Sequence, residues 1–307
     1  LWINARPFWT YSTLDKTLYR PDSLTARMQA ARGVAPMRVI DLGLVSPVGP
    51  IYPGNTLMAI DVPQVLGQHG LELRYFDEVL GGRNEWRNLG NLHLWEMLAV
   101  RWVLAPAQAQ GLDSIPGFVR VVSNGVTAEG RPVQLFERKT PTLYARVVPA
   151  AFSIDSASLV AAVADPRMAY DRVVLLDARE GVATPPLTQM PPPSASGATV
   201  RHWEPGKMSV DLDPPPAAPS YLVVSENWAP DWRALVDGSR ARVLRGNWTL
   251  ITVPVPANAR HIELEYVSAA FTRGKLITVV SLLVALGAVL GPGISRRWRS
   301  GSRAQTV

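Results

Sequence analysis

Apolar residues recur along this chain at several different spacings, and each spacing names an element. The longest uncharged run, residues 276–294, reads Leu-Ile-Thr-Val-Val-Ser-Leu-Leu-Val-Ala-Leu-Gly-Ala-Val-Leu-Gly-Pro-Gly-Ile. A helix of that length rises about 28 Å, close to the hydrocarbon thickness of a bilayer. Its Leu, Ile and Val residues each favour insertion by about 0.3–0.6 kcal/mol, and Thr278 and Ser281 can bond back to the helix. The pattern predicts one transmembrane helix over 274–294.

From 199 to 268 the pattern changes to short strands only. Stretches at 199–204, 207–212, 220–226, 232–237, 240–245, 248–253 and 260–267 are separated by turn residues, the signature of an antiparallel β-sandwich. Asp237-Gly238 is a hairpin turn by its chemistry, since glycine takes φ > 0 where the strands reverse. The last strand places Ile262, Leu264 and Tyr266 on one face and Glu263 and Glu265 on the other, then runs almost directly into the membrane helix. The sandwich is therefore expected to sit on the bilayer surface.

Upstream the periods mix. Residues 22–31, 71–80, 92–99 and 156–164 carry helical spacing, with Gly81-Gly82 as a stop. Strands are expected at 37–42, 57–61, 100–104, 118–123, 132–137, 145–154 and 172–176. The fold class is α+β, with a small mixed α/β extracytoplasmic domain over 51–183. A Pro-rich linker follows over 184–198, then the sandwich over 199–268.

Charge orients the helix. Arg296, Arg297, Arg299 and Arg303 follow the apolar run and only Arg273 and Lys275 precede it, so the basic tail over 295–307 is expected in the cytoplasm and the bulk outside. The net charge of +6 is scattered and forms no basic stripe, which argues against nucleic acid as a partner. With no cysteine among 307 residues, disulfides, thiolate metal sites and cysteine catalysis are excluded. Nothing near Leu1 reads as a signal peptide. The chain is therefore expected to be the C-terminal piece of a longer protein, with earlier membrane segments and a connecting segment over 1–50 whose Trp2, Phe8 and Trp9 fit a membrane exit or, equally, an ordinary apolar loop.

No cofactor or metal is expected. His69, His93, His202 and His261 show no ligand spacing, and there is no Gly-x-Ser-x-Gly elbow or phosphate loop. Asp77 and Glu78, adjacent on a helix, point different ways and suit a solvated face rather than a glycosidase pair. More informative are Trp203, Trp228, Trp232 and Trp248. Indole faces stack on sugar rings, and Asn227 and Asn247 beside them can bond hydroxyls, so these six are the candidate glycan-binding residues. The competing expectation is that the tryptophans fill the sandwich core. Asn247-Trp248-Thr249 also matches the glycosylation sequon.

The stretch Tyr221-Leu-Val-Val-Ser-Glu-Asn-Trp-Ala-Pro-Asp-Trp-Arg-Ala-Leu-Val-Asp-Gly238, continuing to Arg245-Gly-Asn-Trp-Thr-Leu250, resembles the C-terminal region of YfhO-type bacterial membrane proteins. Leu98-Ala-Val-Arg-Trp-Val-Leu104, the helix 74–80 and the segment through Phe152 are similar to further family elements, so the likeness covers most of 50–290. Ala229 stands where a second aromatic is usual, and Asp231 where the family's turn has glycine. If that glycine needs φ > 0, the turn here differs. The resemblance implies a polytopic GT-C-type glycosyltransferase of the lipoteichoic acid glycosylation type. Such an enzyme moves sugar from a lipid-phosphate carrier to a cell-envelope polymer, with its catalytic acid in an early membrane loop that this sequence does not contain. The chain's expected role is accessory and not catalytic alone, with the bilayer, an envelope glycan or lipid-linked sugar, and an N-terminal membrane domain as partners. The alternatives are a noncatalytic interaction or scaffold module, and an independent secreted enzyme for which no catalytic cluster is visible.

Overall fold

A computed structural model describes residues 21–67, 73–82, 85–140, 143–185 and 189–301, the last twelve by their backbone. The aromatic stretch at 2–9 and His69 lie outside the described residues. Strands β1 (Arg38–Asp41), β2 (Val100–Pro106), β3 (Phe118–Val126) and β4 (Pro132–Arg138) form a first sheet in the order β1-β2-β4-β3, parallel only between β1 and β2. A central sheet, β5-β10-β14-β13-β7-β6, joins β5 (Ala145–Val148), β6 (Ala150–Ile154) and β7 (Val173–Asp177) to β10 (Ser220–Asn227), β13 (Leu244–Gly246) and β14 (Leu250–Val255). The outer sheet, β12-β11-β15-β9-β8, uses β8 (Gly197–Glu204), β9 (Lys207–Asp213), β11 (Trp232–Val236), β12 (Ser239–Ala241) and β15 (His261–Tyr266). The fold is thus mixed helix and sheet with mostly antiparallel strands.

The central sheet is buried on both faces, which explains its unbroken apolar runs. Val223 and Leu250 face the first sheet and its helices, whereas Leu222, Val224, Ile251 and Val253 meet Met208, Val210, Ala234, Ile262 and Leu264 of the outer sheet. That second interface is the sandwich core. The strands of the central sheet come from both sides of the Pro-rich segment, so the expected division at 184–198 does not separate the sheets. A run apolar on both faces, such as Leu222-Val223-Val224, needs cover from both sides, and the strands before residue 183 complete the layer. The expected strand 240–245 likewise splits, because the chain leaves the outer sheet after Ala241 and enters the central one at Leu244.

The helices before residue 165 pack between the first two sheets or against the first one. α1 (Ser23–Ala30) starts on a capping box at Asp22. α2 (Thr56–Ala59) replaces the expected strand at 57–61, since Thr56 bonds back to the Pro53 carbonyl through its amide and its hydroxyl and so begins a helical turn. α3 (Arg74–Leu80) ends at Gly81, whose φ of 96° fits a left-handed cap. α4 (Leu92–Met97) and α5 (Ser156–Val163) bury Leu94, Trp95, Met97, Leu159 and Val163 in the same core. The last element, α6 (Ala269–Gly301), holds a 21-residue segment, Ala269–Val289, long and apolar enough to cross a membrane and wholly unburied. This fits a membrane-anchored protein.

Candidate functional site

The three sheets meet at a cleft of about 280 Å3 lined by Arg38 of β1, Gln64, Asp77 of α3, Trp86, Trp203 of β8, and Glu226 and Asn227 of β10. β10 delivers these last two because Leu222–Ser225 are buried in the central sheet and the strand first emerges at Glu226. A relay of bonds then fixes the carboxylate. Trp203 Nε1 donates to the Tyr144 hydroxyl at 3.2 Å, and that hydroxyl donates to Glu226 Oε2 at 2.5 Å. Arg38 Nη2 stands 3.6 Å from the same oxygen, while its Nη1 donates to the carbonyls of Leu98 at 3.0 Å and Ser225 at 2.5 Å. Burial and the Glu226 charge push the Tyr144 phenol up, so it stays a donor.

The cleft therefore offers half-buried indoles for the apolar face of a ring, beside an ion pair and amides for its hydroxyls. Gln64 Nε2, buried without an acceptor, adds a donor on the wall. Small-molecule sites run about 300–1,000 Å3, so this one suits a single small unit.

The structure divides the six sequence candidates. Trp203 and Asn227 line the cleft. Asn227 Oδ1 accepts from Thr249, and its carbonyl accepts from Trp232 Nε1 at 3.2 Å. Trp232 itself lies against Tyr266, ring centres 5.6 Å apart, at the end of the outer sheet next to α6. Asn247 is 1% exposed. Its backbone amide donates to the Leu175 carbonyl at 2.7 Å and its Oδ1 accepts from Leu175 N at 2.9 Å, which completes the pairing of β7 with β13. A sequon at so buried an asparagine is closed to glycosylation.

Trp248 and Trp228 surround Arg245 instead. The guanidinium, 6% exposed, lies 3.8 Å from the centre of the Tyr75 ring, 4.5 Å from Trp248 and 5.7 Å from Trp228. It donates to Asp177 Oδ2 at 3.0 Å. Asp177, which also accepts from Arg179 and Ser156, is held well below the usual carboxylate range, chiefly by Arg179. Trp248 Nε1 donates to Glu78 at 2.7 Å. Glu78 is thus a clamp between α3, a wall of the cleft, and the β13–β14 turn, rather than part of a purely solvated face. Asn247 and Trp248 have φ of 45° and 68°, a strained pair that this clamp and the Asn247 bonds hold in place.

Glu226, Tyr144, Arg38 and Trp86 were not singled out by sequence reasoning. Glu226 had a signal, a charge closing the apolar run Tyr221–Val224, but Arg38 of β1 and Tyr144, just before β5, reach it from far away in sequence. The same holds for His261, whose Nδ1 lies 2.7 Å from Asp211 of a neighbouring strand. Among the described residues no group of His, Asp and Glu could hold a metal ion. A second recess, about 1020 Å3, spreads over the outer face of the outer sheet between Lys207, Arg233, Arg240, His261, Glu263 and Glu265.

No family model matches the sequence, and no curated protein matches it either. A solved structure that it resembles is the cryo-EM structure of the arabinofuranosyltransferase AftD from Mycobacteria, at 25% identity over 35% of this chain, with a TM-score of 0.25. The chain spans 8% of the length of that protein. At this score the likeness supports no statement about fold or chemistry.

Proposed function

We propose that this chain is the membrane-anchored, extracytoplasmic part of a GT-C-type glycosyltransferase, and that its cleft holds one unit of an envelope glycan or lipid-linked sugar while transfer takes place elsewhere. The observation that carries the reading is the Trp203–Tyr144–Glu226–Arg38 relay in a cleft walled by Trp86. The glycosyltransferase context rests on the YfhO-type resemblance over 50–290, and the sidedness on the basic residues after the apolar run. A carboxylate held by a phenol and a guanidinium is pre-organised to accept sugar hydroxyls. The indole faces favour a ring over an extended chain.

The interaction-module reading draws on a different observation, the recess of mixed charge on the outer sheet, and binding data separate the two. The full chain in nanodiscs is titrated with mono- and disaccharides and with polyprenyl-phosphate-linked sugars. Glu226→Gln removes a charge-assisted bond worth about 1.5–3 kcal/mol and should weaken binding roughly 10- to 150-fold. Trp203→Ala should cost a roughly tenfold loss. Arg240→Ala, on the outer face, should change nothing. Saccharide binding that Arg240→Ala abolishes and Glu226→Gln spares would transfer the function to the outer face, and no binding by any form would refute the saccharide reading.

A further inference from the structure

The junction between β15 and α6 is built as a lock. Asp231, in the β10–β11 turn, accepts from Val267 N through its carbonyl at 3.1 Å and from Ala269 N, the first residue of α6, through Oδ2 at 3.2 Å. Ser268 Oγ accepts from Phe271 N at 3.1 Å, and Tyr266 N donates to Gly206 of the β8–β9 turn at 2.7 Å. The β10–β11 turn is thereby tied to the first turn of the helix, and the β8–β9 turn to the last residue of the strand that leads into it. Asp231 does not have a positive φ, so aspartate costs the turn nothing and caps the helix from a neighbouring loop, with its charge at the favourable end of the helix dipole.

Helix geometry then sets the height of this junction. Charge stops at Lys275, and the six residues back to Ala269 rise about 9 Å. A headgroup layer is about 5–8 Å thick on each side. The two tied turns accordingly lie at the outer edge of the headgroups. At that edge stand Tyr266, 41% exposed and edge-on to Trp232, and the exposed cations Lys207 and Arg233, while the 73% exposed Phe271 and the exposed Arg273 and Lys275 lie between it and the hydrocarbon. Aromatic rings prefer this layer, and the cations match its phosphates.

We propose that this end of the outer sheet, the turns around Pro205 and Pro230 together with Trp232 and Tyr266, docks on the lipid headgroup layer. The Asp231 lock keeps the body in one orientation on the membrane rather than on a free tether. The proposal rests on α6 crossing the bilayer and not on saccharide binding.

The cysteine-free chain allows single-cysteine fluorophore labelling of the whole protein in liposomes. Pro205→Cys and Pro230→Cys report on the docking end. Ala217→Cys, exposed beyond the far end of β9 and about 20 Å away, is the control, and Leu282→Cys reports on insertion. Headgroup spin-labelled lipid should quench positions 205 and 230 at least threefold more than 217, and chain-centre-labelled lipid should quench 282. Asp231→Ala should bring 205 down toward the 217 value, with Asp231→Asn restoring it. Quenching at 282 with 205 and 230 equal to 217 would overturn docking, as would the absence of quenching at 282. Strong quenching at 205 unaltered by Asp231→Ala would overturn the lock.

Discussion

Replacing Asn247 tests whether this residue belongs to the framework or faces a ligand. Its Oδ1 is the acceptor for Leu175 N, and both groups are buried. Removing the amide leaves that N–H unpaired at a cost of about 1–3 kcal/mol. The backbone φ of 45° adds about 1–2 kcal/mol when the residue is alanine, because asparagine and glycine tolerate the left-handed region and a Cβ without a local bond does not. Asn247→Ala should therefore lose about 2–5 kcal/mol and Asn247→Gly only about 1–3. For a body of this size that is a fall in Tm of roughly 5–15 °C for alanine, with glycine several degrees higher. Thermal melts of the full chain in detergent, followed by tryptophan fluorescence, give both values. Saccharide affinity of either folded variant should equal that of the parent. A melt within 1 °C of the parent together with lost binding would refute the framework role.

Other perturbations follow from single contacts. Asp41, buried and accepting from the amides of Gly43 and Ile51, has its carboxyl pushed up to about 6, chiefly by burial. The folded state then holds a proton that the unfolded state releases near 3.8, so stability should fall as pH rises from 4 to 6.5, by up to about 3 kcal/mol. Equal slopes for the parent and Asp41→Asn in denaturant titrations over that range would contradict this. A methyl at Gly246 would meet Thr252 Oγ1 at 2.1 Å and Val174 Cγ2 at 2.6 Å. Gly246→Ala should therefore destabilise by about 1–3 kcal/mol or more, read as an earlier urea midpoint. Glu78→Ala unpairs the Trp248 indole N–H and should cost about 1–3 kcal/mol. It should also weaken saccharide binding, because α3 walls the cleft, whereas unchanged affinity would deny the clamp a positioning role.

Much of the fold was legible because its periods are clean. The long apolar C-terminal helix, the capped start at Asp22, the glycine stop at 81 and the alternation of 207–212 and 261–266 each follow from spacing and turn chemistry alone. The mixing of the sheets was not legible. The stretches 220–226 and 172–176 read as strands, yet nothing local says that both belong to one layer, since strand order is set by long-range packing. Site residues failed for a related reason. Tryptophan next to asparagine looks the same whether the indole lines a cleft, as Trp203 does, or encloses a buried arginine, as Trp248 does. Glu226 gains its meaning from Tyr144 and Arg38, partners that only the folded chain brings together. Asp231 was visible as a departure from the pattern that the YfhO-type resemblance implies, but its use as a helix cap depends on a segment some forty residues later.

Photo-crosslinking decides whether the cleft, rather than the outer face or the Arg245 cluster, receives the sugar. A photoreactive saccharide is bound to the full chain in nanodiscs, and the labelled residues are mapped by mass spectrometry. Adducts are expected on Trp86, Trp203 and the Glu226-Asn227 pair, competed away by free sugar and lost in Glu226→Gln. Adducts confined to Arg233, Arg240 and Glu263 on the outer sheet, undiminished by Glu226→Gln, would contradict it.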